Sequence, residues 1–140
     1  MNFAIISLGS NIEPEKNIRK SKAILSAEFR VLRETIPVKT KPMEFKQQPD
    51  FINMAILVET RKTLQELNKK LKETEKLLGR IKTENKAGPR TIDLDAVVWN
   101  LKLKDRHVLE WPFLKASVKE LLPELLNKTG KRAPNWAKQI

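Results

Sequence analysis

Strand-like and helix-like segments alternate along this chain in an order that few folds accept. Apolar alternation predicts four strands, at residues 2–8, 31–39, 51–60 and 91–99. Helical periodicity predicts helices over residues 14–28 and 63–79, and a third over 112–122. The resulting order, β-α-β-β-α-β followed by a helix, is the split-βαβ pattern of ferredoxin-like α+β folds. We therefore expect an antiparallel sheet that carries helices on one face, plus a C-terminal helix.

The second helix and the second strand carry the clearest local signals. Thr63 and Glu66 form a capping box, so the helix begins at Thr63, and Gly79 is a natural stop. Its predicted inner stripe is Leu64, Leu67, Leu71, Thr74 and Leu78. Pro37 interrupts the second strand late and indicates an edge or a bulge. Residues 40–50 are expected to form a loop.

Composition limits the class of protein. With 140 residues the chain fits a single domain, which we assign to residues 1–126, with a C-terminal tail over 127–140. The chain has no cysteine, which excludes disulfides and thiolate metal sites. Its apolar runs are too short to span a bilayer, so we expect a cytoplasmic protein without membrane contact.

The charge balance is strongly basic. Lys and Arg outnumber Asp and Glu by 28 to 17, giving a formal charge of +11. Such an excess attracts polyanions, whether nucleic acid, acidic membrane or nucleoside triphosphates. An ordinary solvated lysine-rich face explains the charge equally well, so only its location can decide.

A pair of aspartates carries the strongest chemical signal. The turn Gly88-Pro89-Arg90 leads into the strand Thr91-Ile92-Asp93-Leu94-Asp95. Because side chains alternate along a strand, Asp93 and Asp95 lie on one face, roughly 6–7 Å apart, and repel each other unless a cation neutralises them. Mg²⁺ is commonly held by one or two carboxylates together with substrate phosphates. The alternative is a half-exposed edge strand, although aspartate is depleted in strands.

Two further groups of residues extend this signal. Arg80, Lys82, Lys86 and Arg90 place cations beside the aspartates, as phosphoryl transfer requires. Phe51 and Asn53 offer an aromatic face and an amide that can stack on and hydrogen-bond a planar heterocycle. Each group also has a plain interpretation: a solvated basic loop for the first, and a core aromatic with a polar neighbour for the second. His107, the single histidine, is interpreted as a surface residue.

With these residues in view, the chain resembles the 6-hydroxymethyl-7,8-dihydropterin pyrophosphokinases of folate biosynthesis. The resemblance covers about residues 3–125. It rests on Leu8-Gly9-Ser10-Asn11, on Gln48-Pro49-Asp50-Phe51-Ile52-Asn53, and above all on the Gly-Pro-Arg-x-x-Asp-x-Asp block at 88–95. It implies transfer of diphosphate from ATP to the pterin hydroxymethyl group, leaving AMP.

The resemblance also implies roles for individual residues. Two Mg²⁺ ions that arrive with ATP would be held by Asp93 and Asp95, and Arg80 and Arg90 would stabilise the transferring group from a mobile loop. The pterin pocket would include Thr40, Met43, Phe51 and Asn53. Positions near the nucleotide would be Lys72, Glu75, Lys82 and Arg106.

The chain departs from the family pattern after the aspartates. The connection from Asp95 to Arg106 is shorter than in well-known members, and a phosphate-contacting histidine is missing. The family's second stacking aromatic falls at Val108, or at His107 if the alignment slips by one. A tryptophan often found in the catalytic loop is here Ala87.

Three hypotheses follow from the sequence. The favoured one is a working, monomeric pyrophosphokinase whose partners are ATP and the pterin and not nucleic acid. The second is an inactive or repurposed relative that binds pterin or nucleotide without efficient transfer. The third, prompted by the charge, is a ferredoxin-like RNA-binding domain, although the chain lacks the aromatic-rich motif that such domains present.

Overall fold

A single antiparallel sheet organises the computed structural model, which describes residues 1–42, 47–79 and 91–123. In chain order the elements are β1 (Asn2–Ser10), α1 (Pro14–Glu28), β2 (Arg30–Glu34), β3 (Val38–Thr40), β4 (Phe51–Thr60), α2 (Leu64–Leu77), β5 (Asp93–Trp99), β6 (Lys102–Leu103), α3 (His107–Glu110) and α4 (Pro112–Leu121). The sheet order is β2-β4-β1-β5-β6, and β3 also pairs with β4. All pairs are antiparallel. The predicted α+β, ferredoxin-like class with its C-terminal helix is confirmed.

The stretch 31–39 differs from its prediction. The expected single strand is two strands, β2 and β3, and both pair with β4. Pro37 has no backbone N–H to donate to a neighbouring strand. It lies between β2 and β3, where the interruption was predicted. Thr40 ends β3 and does not begin a loop. The short elements β6 and α3 were not predicted.

The helix α2 forms as its pattern predicts. The Thr63 hydroxyl accepts from the Glu66 N–H at 3.1 Å, and the Glu66 carboxylate accepts from the Thr63 N–H at 3.0 Å. The Thr63 backbone N–H first, and then the Thr63 side chain, lower the pKa of Glu66, because hydrogen bonds to the carboxylate favour its ionised form. Within the described ranges, no helix is both long and apolar enough to cross a membrane.

The two faces of the sheet are covered differently. One face contributes Ala4, Ile6 and Leu8 of β1, together with side chains of β4 and β5, to a buried cluster that includes Ile18 and Leu25 of α1 and Leu67 and Leu71 of α2. The opposite face contributes Phe3 and Ile5 to a second cluster with Val118 and Leu121 of α4. The helices of the βαβ units therefore lie on one face, as predicted, and α4 packs on the other.

Candidate active site

On the face of the sheet that packs against α4, the residues change from apolar to small and polar along the strands. On β1 the residues of this face are Phe3 and Ile5, which are buried, and then Ser7 and Gly9, which line a cavity of about 260 Å³. The cavity therefore begins at the end of the sheet where the apolar side chains of this face stop. Its other lining residues come from the end of β3, the starts of β4 and β5 and the start of α4, together with Lys41, Gln48 and Asp105 from the connecting segments.

Gly9 forms the floor of the cavity between its two neighbouring strands. It pairs with Asn53 of β4 on one side and with Asp93 of β5 on the other. A Cβ at this position would lie 2.5 Å from the Asn53 side-chain oxygen, well inside contact distance. A side chain at this position would therefore have to displace the Asn53 amide, which occupies the space next to Gly9.

Asp93 and Asp95 both line the cavity, as strand alternation predicted. Leu94 between them points to the other face and is only 4% exposed in the first cluster. Across β1, Asp95 pairs with Ser7 and Asp93 with Gly9, so small residues flank both carboxylates. Asp93 is half-buried and Asp95 is exposed, which leaves room for a cation that brings its own ligands.

Glu75 holds the strand that carries this pair. Its Oε2 accepts a hydrogen bond from the Leu94 N–H at 2.8 Å. The ladder from β5 to β6 begins only at Val98, so the first part of β5 has no strand on its outer side among the described residues. The carboxylate from α2 therefore satisfies a backbone donor that an edge strand leaves open.

The second predicted constellation also comes together on the cavity wall. Phe51, Asn53 and Thr40 all line it. Thr40 pairs with Phe51 across the strands, and the Asn53 side-chain amide donates a short hydrogen bond to the Thr40 hydroxyl. This bond fixes the amide beside the aromatic ring, in the arrangement that a planar ligand with polar edges needs.

Asn11 links the segments 8–11 and 48–53, which carry the two motifs that precede the aspartates. Its side-chain amide donates to Gln48 Oε1 at 2.7 Å and to the Pro49 carbonyl oxygen at 3.0 Å. Asn11 is 6% exposed, and Gln48 lines the cavity. The segment after β1 is therefore tied to the segment that leads into β4.

The start of α4 supplies a wall that the sequence reasoning missed. Trp111 and Phe113 line the cavity together with Asp105. The His107 ring stacks on Trp111 with centroids 3.9 Å apart and planes inclined by 8°, so the single histidine has a packing role. The available signal was Trp111-Pro112-Phe113, two aromatics flanking a helix-starting proline.

Several predicted site residues lie elsewhere or outside the described ranges. Lys72 and Arg106 are exposed and do not line the cavity. Val108 is fully buried in the second cluster, and His107 also stays off the lining. Five predicted residues fall outside the described ranges: Met43, Arg80, Lys82, Lys86 and Arg90.

The shortened connection after Asp95 forms the tight β5–β6 hairpin. Asn100 in its turn has φ 53°, a left-handed conformation that asparagine tolerates. The Asn100 side-chain oxygen accepts from the Phe3 N–H at 3.0 Å, and the Asn100 backbone N–H donates to the Phe3 carbonyl at 2.7 Å. These two hydrogen bonds hold the hairpin turn against β1.

The donor set fits a cation that is shared with a phosphate ligand. In the described ranges no group of three or more His, Asp or Glu side chains is placed to hold a metal by itself. Two carboxylates on one strand face are nevertheless enough for Mg²⁺, because this ion keeps several waters or phosphate oxygens among its ligands. Asp93 and Asp95 are the residues that would hold it.

A family comparison covers the elements that form this cavity. Residues 5–123 match the family model described as 7,8-dihydro-6-hydroxymethylpterin-pyrophosphokinase (HPPK). The chain belongs to this family. The match spans β1 to α4 and therefore includes all the strands and helices that form the cavity.

Individual relatives agree with the family match. The chain is 34% identical over 126 residues to 2-amino-4-hydroxy-6-hydroxymethyldihydropteridine pyrophosphokinase of Campylobacter jejuni, covering 86% of this chain and 80% of the relative. It is 36% identical over 102 residues to the Bacillus subtilis protein of the same name, covering 71% and 60% respectively. It is also 35% identical over 123 residues to folic acid synthesis protein fol1 of Schizosaccharomyces pombe, covering 86% of this chain but only 17% of that longer protein.

Proposed function

We propose that the protein transfers diphosphate from ATP to the hydroxymethyl group of 6-hydroxymethyl-7,8-dihydropterin. The hydroxymethyl oxygen forms a bond to the β-phosphorus of ATP, the bond from that phosphorus to the α,β-bridging oxygen breaks, and AMP leaves. The hydroxyl proton is released in the same step. The products are AMP and the pterin diphosphate, an intermediate of folate biosynthesis.

One observation carries this proposal: a single cavity holds both a carboxylate pair and an aromatic–amide pair. Asp93 and Asp95 lie on one strand face, and Phe51 and Asn53 lie on the same face two strands away, with Gly9 between them. The first pair suits a magnesium–triphosphate group, and the second suits a planar heterocycle. A transfer between two substrates requires both groups at one site.

The roles of the chain's own residues follow from these positions. Asp93 and Asp95 would hold the Mg²⁺ ions that accompany ATP, and bound Mg²⁺ neutralises charge on the phosphate oxygens. Phe51 stacks on the pterin ring, and the Asn53 amide, held by Thr40, bonds the ring edge. Arg80 and Arg90 stabilise the transferring group, while Lys72, Lys82 and Arg106 attract the nucleotide. Met43 completes the pterin pocket.

The test is an assay of AMP release from ATP in the presence of Mg²⁺ and the hydroxymethyl-dihydropterin. The wild-type protein should release AMP in equal amount to the pterin diphosphate. Asp95→Ala should reduce turnover by roughly 100-fold or more, because it removes a group that positions charge-neutralising metal. Glu120→Gln, an exposed change on α4 away from the cavity, is the matched control and should retain full turnover.

The same assay separates the alternative functions. Folded protein that binds pterin or ATP in calorimetry but yields no AMP would support an inactive relative. Full turnover by Asp95→Ala would contradict the metal assignment. An RNA-binding domain would instead retain RNA in a salt-sensitive way, and the acidic lining of the cavity disfavours that function.

The setting of the activity completes the proposal. The protein acts as a monomer in the cytoplasm, on two small-molecule substrates, without nucleic acid or membrane as partner. Sedimentation should give the mass of one chain at assay concentration. A concentration-dependent increase in mass would contradict the monomer.

A further inference from the structure

The cavity has a second aromatic wall, which is formed at the start of α4 and not by the strands. Trp111 and Phe113, at the start of α4, line it together with Phe51 of β4. Both α4 residues are half-buried, so part of each ring stays accessible. Val108, where the family resemblance places the second aromatic, is 0% exposed inside the second cluster and does not line the cavity. The aromatic surface of this wall therefore comes from other residues.

Trp111 is the better-fixed of the two rings. The His107 ring stacks on it at 3.9 Å, and the Trp111 N–H donates to the His107 carbonyl at 2.8 Å. His107 is held in turn by Asp105, whose Oδ1 lies 3.0 Å from His107 Nδ1 and accepts the His107 N–H at 2.9 Å. A ring that is already ordered loses little conformational entropy when a ligand stacks on it.

Size and chemistry limit what these walls can hold. A cavity of about 260 Å³ is at the lower end of small-molecule sites, which suits a bicyclic ring. The lining combines aromatic rings from β4 and α4 with the polar groups of Thr40, Asn53 and Asp105. Stacking holds the faces of a flat heterocycle, while amide and carboxylate groups bond its edges.

We propose that Trp111 stacks on the pterin ring on the face away from Phe51, and that His107 is a positioning residue that holds Trp111 in place. This inference rests on the proposed function, since it names a substrate contact for that reaction. It assigns to this chain a specificity-determining residue three positions after Val108.

The direct test measures binding of 6-hydroxymethylpterin by calorimetry, with saturating Mg²⁺ and a non-hydrolysable ATP analogue. Trp111→Leu should raise the pterin Kd about tenfold, because stacking of one base-sized ring on an aromatic is worth roughly 1–3 kcal/mol. Trp111→Phe should stay within about threefold of wild type, because a stacking face remains. The affinity for the nucleotide analogue should not change in either variant.

Trp99→Phe is the matched control. Trp99 packs against the first cluster on the other face of the sheet, so its replacement should leave the pterin Kd unchanged. Wild-type protein that fails to bind the pterin would overturn the proposed function. Wild-type protein that binds it, with Trp111→Leu binding equally well, would overturn the present inference alone.

Fluorescence provides a second readout if Trp111→Leu does not fold. In the double variant Trp99→Phe, Trp136→Phe, Trp111 is the remaining tryptophan of the chain's three. Pterin stacked on that ring should quench its emission with the Kd found by calorimetry. Binding without a change in this emission would contradict the contact.

The role of His107 is tested by a conservative rescue. His107→Ala should raise the pterin Kd and KM about threefold with kcat unchanged, because a less ordered Trp111 weakens binding and not chemistry. His107→Phe, which keeps an aromatic partner for Trp111, should restore most of the affinity. Equal affinity in wild type and His107→Ala would remove the positioning role.

Discussion

The two faces of the sheet are formed by the same strands but have different roles. The face under α1 and α2 is apolar through the middle of β1, from Ala4 to Leu8. The face under α4 is apolar for only half its length and then presents Ser7, Gly9 and the site side chains. Helices close the first face completely and the second only in part. The site therefore lies where burial of the second face stops, on a scaffold held by the first.

Adjacent residues on β5 give the sharpest test of this division. Leu94→Ala should cost about 2–5 kcal/mol in the free energy of unfolding, because it opens a cavity in the first cluster. Asp95→Ala should change stability little while abolishing AMP release. Urea melts and the AMP assay measure both outcomes. Equal stability losses in the two variants would contradict the division between the faces.

Glu75 links α2 to the edge of the sheet, because it reaches the backbone of the strand that carries Asp93 and Asp95. Glu75→Ala should lower stability by roughly 1.5–3 kcal/mol, the range for a lost hydrogen bond to a charged group. Glu75→Gln keeps an acceptor and should recover most of that loss. Thermal melts of the two variants provide the comparison. Identical melting of Glu75→Ala and wild type would show that the bond has no net value.

Gly9→Ala tests the floor of the cavity. The new methyl group must displace the end of the flexible Asn53 side chain and not backbone, so stability should fall by less than about 1 kcal/mol. Pterin affinity should fall about tenfold, because Asn53 leaves its bond with Thr40. Calorimetry measures the affinity. A large stability loss with normal pterin affinity would reverse this interpretation.

The smallest effect is expected at the cap of α2, far from the cavity. Thr63→Ala should cost about 1 kcal/mol at neutral pH and leave turnover unchanged. The pKa of Glu66 is lowered in the folded state, so its stabilising contribution is present above the ordinary carboxyl range and is lost as the pH falls through the lowered value. The variant keeps the Thr63 backbone N–H, which lowers this pKa most, so only the part due to the Thr63 side chain separates the two proteins, and their stability gap should narrow slightly in acid. Urea melts at neutral and acidic pH would contradict this if the gap widened.

Long-period patterns in the sequence predicted the frame, whereas short elements escaped prediction. Alternation and the capping box located β1, β4 and α2, because each runs long enough to show its period. The elements β6 and α3 are too short to show a period, and β3 was predicted only as the end of one longer strand over 31–39. The alternation of side chains along a strand predicted that Asp93 and Asp95 lie on the same face of β5. No local rule could bring Trp111 to the cavity, because its position depends on how α4 packs across the sheet.

The central position of β1 has a consequence for how the chain can be assembled. Its partners β4 and β5 end at Thr60 and Trp99, so the first strand to be made gains its second neighbour only after most of the chain has been made. Gly9 lies between Asn53 and Asp93 only when that second pairing exists. On the ribosome, a chain that stops before β5 has no floor for the cavity and leaves one edge of β1 unpaired. The substrate site is therefore complete only when almost the whole domain has been synthesised.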